Sequence, residues 1–174
     1  MKRMLFSFLS LFISIVALAQ SDLWNENTRD AAYEAPNSLL QKKWYKYDKE
    51  KTTSEFKANG EYINCFQMTF EEVNVSIEVS GKYTRNKDRI TISLTDSKVI
   101  PNQSDLEILS ARRRDEFLAR MKLVEQNIKT AFRQMGYYLI LRLDEDYLIT
   151  TTFDPKTQMF NDMSWDTWHT KPTE

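Results

Sequence analysis

The 174-residue chain holds one cysteine, one histidine, three glycines and four prolines. Each scarcity removes a class of protein. The lone Cys65 cannot close an internal disulfide, so the fold must rest on its core. Metal sites need several convergent ligands, and the single His169 has no second His or Cys near it in sequence. A nucleophilic Cys65 would need a base, and His169 is the only imidazole available. So little Gly and Pro argues against linker-rich or low-complexity architecture. Charge of one sign is also lacking: 24 basic residues face 25 acidic ones, which makes no electrostatic case for nucleic acid. These absences lead to the expectation of a non-enzyme, with no catalytic residues, no metal and no cofactor.

What is present begins with a segment that does not belong to the fold. Lys2 and Arg3 precede an apolar run from Leu5 to Leu18, interrupted only by Ser7, Ser10 and Ser14. It ends in Ala17-Leu18-Ala19, the small-x-small pattern of a signal-peptidase site. The run is shorter than the ~20 residues of a spanning helix. Residues 1–19 are therefore read as a cleaved secretory signal, which places the mature chain in the periplasm or outside the cell with no transmembrane span. No Cys marks the cleavage point, so the pattern is not that of a bacterial lipoprotein. Cleavage removes Lys2 and Arg3, leaving 22 of the 24 basic residues against 25 acidic ones. Residues 20–38 are polar and form an N-terminal arm, with a short helical turn expected between Asn25 and Tyr33. Residues 39–174 form one domain.

Within that domain the chain alternates with period two, the mark of half-buried strands. Leu39 to Tyr47 and Thr52 to Lys57 are the first two strands. Asn59-Gly60 then signals a hairpin, because both residues tolerate the positive φ of a type I′ turn. Gly60 to Phe70 follows, with Tyr62, Asn64, Phe66, Met68 and Phe70 on one face. Val73 to Tyr83 places Val73, Val75, Ile77 and Val79 inward, and Gly81 marks a bend or bulge. Arg89 to Val99 points Ile90, Ile92 and Leu94 inward.

The period then changes. Ser104-Asp105-Leu106-Glu107 reads as a capping box. A helix is expected over about 104–135, either unbroken or broken near Ser110, and closed by Gly136. Its apolar stripe is Phe117, Met121, Val124, Ile128, Phe132 and Met135. Three more strands follow: Tyr137 to Leu143, Tyr147 to Phe153 and Gln158 to His169. Eight antiparallel strands with short connections remove their edges by closing. The expected fold is mainly β, an eight-stranded antiparallel up-and-down barrel with one long amphipathic helix between strands five and six. A β-sandwich with a flanking helix is the alternative.

The order Trp44, Phe56-Lys57-Ala58-Asn59-Gly60-Glu61-Tyr62, Gly81-Lys82-Tyr83-Thr84 and Asp88-Arg89-Ile90-Thr91-Ile92 resembles the lipocalin-like domains of secreted Bacteroidetes proteins. Leu143-Asp144-Glu145-Asp146-Tyr147-Leu148 is similar to their final strands. Two departures stand out. Lys42 and Lys43 replace the Gly expected before Trp44, and the helix is longer than the usual connection. The resemblance implies a lipocalin-like barrel that binds a small hydrophobic or amphiphilic ligand. The alternative is an envelope interaction module or inhibitor with a side-chain-filled barrel and a protein partner.

Candidate binding residues follow from both. Arg113 and Arg114 flank the helix stripe led by Phe117. They either lay their methylenes on the barrel and keep their charge in water, or pair with the headgroup of an apolar-tailed ligand at the mouth. Tyr62, Phe66, Phe70, Trp165 and Trp168 are either core or ligand box, as small barrels fill themselves with large side chains. Asp144-Glu145-Asp146 carries the oxygens that Ca²⁺ prefers, yet reads more simply as a solvated hairpin tip.

Overall fold

The computed structural model describes residues 23–48, 51–134, 137–154, 157 and 159–172. The expected signal segment lies outside them, as do Met135 and Gly136. Eight strands form one antiparallel sheet: β1 (Lys43–Lys46), β2 (Thr53–Phe56), β3 (Glu61–Phe70), β4 (Val73–Asn86), β5 (Arg89–Pro101), β6 (Tyr137–Leu143), β7 (Tyr147–Asp154) and β8 (Met159–His169). Each pairs with its neighbour in sequence, and β1 pairs with β8 through Tyr45–His169 and Lys46–Trp168, so the sheet closes in a ring. Among the described residues two helices precede the ring, α1 (Glu26–Glu34) and α2 (Asn37–Leu40). Two more separate β5 from β6, α3 (Gln103–Ile108) and α4 (Ala111–Gln134). No described helix is long and apolar enough to cross a membrane.

The ring is uneven. β4 and β5 pair from Val75–Pro101 down to Asn86–Arg89, whereas β5 meets β6 only at Arg89–Leu139 and Ile90–Tyr138. Beyond Ile90, β3, β4 and β5 run on as an extension of the sheet. Strand residues alternate faces, so Val73, Val75, Ile77 and Val79 share a face with Tyr83. Tyr83 packs inside the ring with Trp44, Phe56, Tyr62, Ile90 and Trp168. The four β4 residues before it pack instead with Leu106, Phe117 and Met121. The helical segment therefore covers the inward face of the extension rather than the outer wall. At the other end of β4, Arg85 donates to the Ala32 carbonyl (2.7 Å) and to Asn37 Oδ1 (3.3 Å), so α1 and α2 close the base.

Polar contacts hold α4 along β5, which has no strand on that side past Ile90 among the described residues. Glu125 Oε2 accepts from the Val99 N–H (3.3 Å), taking an edge donor that a strand would otherwise take. Ser97 Oγ donates to the Glu125 carbonyl (3.1 Å), and Lys129 reaches Asp96 (3.4 Å). Arg120 grips both carboxylate oxygens of Glu71 at the β3–β4 turn.

The structure corrects several expectations of local detail. Leu39 and Leu40 belong to α2 rather than to the first strand, because Leu40 is buried and its carbonyl accepts from Trp44 Nε1 (3.0 Å). The helical segment starts at Asn102, whose side chain accepts from the Asp105 N–H, and not at a Ser104 box. Asp105 is engaged elsewhere: its Oδ2 takes both the backbone N–H and the side-chain amide of Asn74 (2.8 and 2.9 Å). The segment breaks at the extended Leu109, in line with the broken alternative at Ser110. Gly60 has φ of 78° but Asn59 does not have positive φ. The loop is a three-residue one, with Gly60 N bonded to Lys57 O and Lys57 N to Glu61 O. The turn with two central residues at positive φ is Glu71-Glu72, at 49° and 71°.

Candidate functional site

A cavity of about 250 Å³ lies inside the ring, its apolar lining drawn mainly from the cluster around Trp44, with Phe66 from the cluster on the extension. It is lined by Lys46 of β1; Thr52, Ser54 and Phe56 at β2; Tyr62, Asn64 and Phe66 of β3; and Ile90 and Ile92 of β5. Tyr138 of β6, Leu148 and Thr150 of β7, and Asp166 and Trp168 of β8 complete it. Every lining position is even-numbered, which is the inward face of an alternating strand. The apolar rings and branched chains make walls. A belt of polar groups runs between them.

Asn64 organises that belt. It is buried, and its side-chain nitrogen donates to the Thr53 carbonyl (2.9 Å) and to Ser54 Oγ (2.8 Å). Ser54 Oγ in turn lies 3.5 Å from the Tyr62 hydroxyl. Burial, with Tyr138 close by, raises the Tyr62 phenol well above its ordinary range. Burial and the Asp166 carboxylate push Tyr138 up to about 12. Both phenols therefore remain protonated donors at any physiological pH. At the rim, Lys46 Nζ pairs with Asp166 Oδ1 at 2.6 Å and lies 5.9 Å from the centre of the Trp168 ring.

Of the residues singled out from sequence, Tyr62, Phe66 and Trp168 line this cavity. Phe117 is buried on the strand extension, 6.1 Å from Phe70 between ring centres. Arg113 is exposed and Arg114 half-buried at the start of α4; neither lines the cavity. The helix stripe that led to them faces the extension and not the ring interior. Trp165 stands out of phase with Asp166 and Trp168, and packs edge-on against Trp24 at 6.2 Å. Lys46, Asp166, Tyr138 and Thr150 were not found from sequence. A polar residue at an inward position is the signal for such groups, and it marked only Asn64.

The remaining chemical candidates have structural partners. Asp144 accepts from Arg142 (2.6 Å) and from the backbone N–H groups of Asp146 and Tyr147. Partial burial opposes its charge, but these three donors outweigh it and hold the carboxyl below its usual range. Cys65 Sγ lies 4.0 Å from Glu78, and burial pushes its thiol up, away from thiolate chemistry. Among the described residues no group of three His, Cys, Asp or Glu is placed to hold a metal.

His169 sits on the β1–β8 seam, stacked on Tyr47 at 3.9 Å and edge-on to Tyr147 at 5.1 Å. Burial lowers its pKa. The unfolded chain then binds this proton more readily than the folded one, so stability is complete above about pH 6.5 and falls as pH drops through that value. Urea melts at pH 8 and pH 5.5 are expected to show this loss, and His169→Gln is expected to reduce it. An unchanged pH response in the variant contradicts the assignment.

No protein-family model matches the chain, and no curated protein matches it.

Proposed function

We propose that this chain is a lipocalin-like binding protein that works in the periplasm or outside the cell and takes up a small molecule inside its barrel. The observation that carries the reading is the cavity of about 250 Å³ within the ring, walled by Phe56, Phe66 and Trp168 and crossed by a polar belt. Binding sites are concave, largely apolar and furnished with a few placed polar groups. The cavity is smaller than the roughly 300–1,000 Å³ that takes drug-sized ligands, so the ligand is compact rather than long-tailed. The binding residues are Tyr62 and Phe66 with the newly found belt, in place of Arg113, Arg114, Phe117 and Trp165. The secreted location rests on the signal-like segment of residues 1–19.

The test is native mass spectrometry of protein purified from its own envelope, followed by extraction and a titration with the neutral fluorophore N-phenyl-1-naphthylamine. A stoichiometric small molecule, or probe uptake that Thr150→Phe abolishes in a folded variant, is expected. An empty protein that takes up no probe overturns the reading. A second reading, an interaction module, is favoured by apolar side chains on the helical segment: Ile108 is 85% exposed and Leu123 is 59% exposed. Capture of a specific envelope protein, lost in Leu123→Glu, would support it.

A further inference from the structure

The charge balance of the cavity restricts what it can hold. Its two ionised lining groups, Lys46 and Asp166, are paired with each other at 2.6 Å. An anionic guest that takes Lys46 leaves Asp166 beside the cavity without its partner. A cationic guest that takes Asp166 does the same to Lys46. The two side chains are 35% and 39% exposed, so breaking the pair itself costs little. The larger cost falls on the guest, whose charge loses its hydration against a counter-ion that is already neutralised. The cavity therefore offers a charged group no free counter-ion among the described residues.

It does offer neutral hydrogen bonding. Both amide hydrogens of Asn64 are committed, to Thr53 O and Ser54 Oγ, which leaves its carbonyl oxygen as an acceptor. The Tyr138 and Thr150 hydroxyls border the cavity and have no hydrogen-bond partner among the described residues. A guest that displaces water from these groups without pairing with them leaves them unmatched, so a guest that pairs with them is favoured over one that does not. Flanking aromatic faces favour a flat ring by stacked or edge-on contact.

We infer that the ligand is a compact, neutral, ring-bearing molecule carrying a hydroxyl or carbonyl group, held between the aromatic walls with its polar group on the Asn64–Tyr138–Thr150 belt. This rests on the binding reading above and narrows it: with the rim charges already paired, carboxylates and amines are both disfavoured against a neutral guest.

Four naphthalenes of similar size separate the two claims: naphthalene, 2-naphthol, 2-naphthoate and 2-naphthylmethylammonium, each titrated into the purified protein at pH 7 by Trp fluorescence and calorimetry. The expected order puts 2-naphthol first, about tenfold tighter than each of the others, the worth of one or two hydrogen bonds. In a Tyr138→Phe/Thr150→Val double variant with native near-UV circular dichroism, the preference for naphthol over naphthalene is expected to disappear. Equal or tighter binding of the naphthoate or the ammonium compound overturns the ligand class and leaves the binding reading standing. Naphthalene binding as well as naphthol also overturns the class. If none of the four binds, both inferences fall.

Discussion

A methyl group at Gly81 is expected to force β4 and β5 apart. A Cβ there would lie 2.2 Å from the Ser93 carbonyl oxygen and 3.0 Å from Leu94 Cα. Both are backbone atoms of the paired strand, so no side-chain rotation relieves the overlap. The strand itself must shift, and Gly81 is paired on its other side with Tyr62, which lines the cavity. Gly81→Ala is therefore placed at or above the upper end of the roughly 1–3 kcal/mol that overpacking costs. In a domain of this size that lowers Tm by on the order of 10 °C. Gly60→Ala is the control. Its Cβ has room, with the Tyr83 carbonyl oxygen 3.7 Å away, and only the positive φ of 78° is strained. It is expected to cost about 1–2 kcal/mol. A Gly81→Ala protein that melts with the wild type would show that β5 moves aside freely.

The same position explains how one strand serves two clusters. Ser80 pairs with Asp96 and Gly81 with Leu94, so Thr95 is an extra residue in β5. One extra residue exchanges the faces of everything after it. Before it, the inward residues are the even-numbered Ile90, Ile92 and Leu94. After it they are the odd-numbered Ser97 and Val99, which meet α4. The sequence placed a bend or bulge at Gly81 and read the alternation of β5 up to Leu94. It carried no sign of the change of phase, because Ser97 is not an apolar marker.

Legibility elsewhere follows the same division. Apolar alternation is local, so Val73 to Val79 and the stripe at Phe117, Met121, Val124 and Ile128 were visible as patterns, and both are found packed together. Strand order was visible because short connections leave few alternatives. Turn chemistry was less so. Asn59-Gly60 carries the residues of a type I′ turn, yet Asn59 Oδ1 accepts from the Glu61 N–H and Gly60 alone takes the left-handed conformation. The turn at Glu71-Glu72 has no Gly or Asn to announce it. The site was least legible, for a physical reason. Lys46 and Asp166 stand on the first and last strands, and only closure of the ring brings them together. Arg113 and Arg114 drew attention by their place beside an apolar stripe, and nothing local told which end of the sheet that stripe would cover.

Closure of the base is the second feature with a large expected effect, and it rests on Trp44. The indole is fully buried among Leu40, Phe56, Ile140 and Trp168, and its N–H donates to the Leu40 carbonyl at 3.0 Å. Two substitutions separate its two contributions. Trp44→Phe keeps most of the ring and leaves the Leu40 carbonyl without that donor, at a cost of about 1–3 kcal/mol. Trp44→Ala also opens a cavity beneath Phe56 and Trp168, at about 3–5 kcal/mol. Urea denaturation with an unchanged slope reads these as losses of stability alone. Phe56 and Trp168 also line the cavity, so a folded Trp44→Ala protein is expected to admit N-phenyl-1-naphthylamine more readily than the wild type. If Ala costs no more than Phe, the ring contributes little beyond its hydrogen bond, and the base is held by α1 and α2 instead. If probe uptake is also unchanged, the space under Phe56 and Trp168 is not continuous with the cavity.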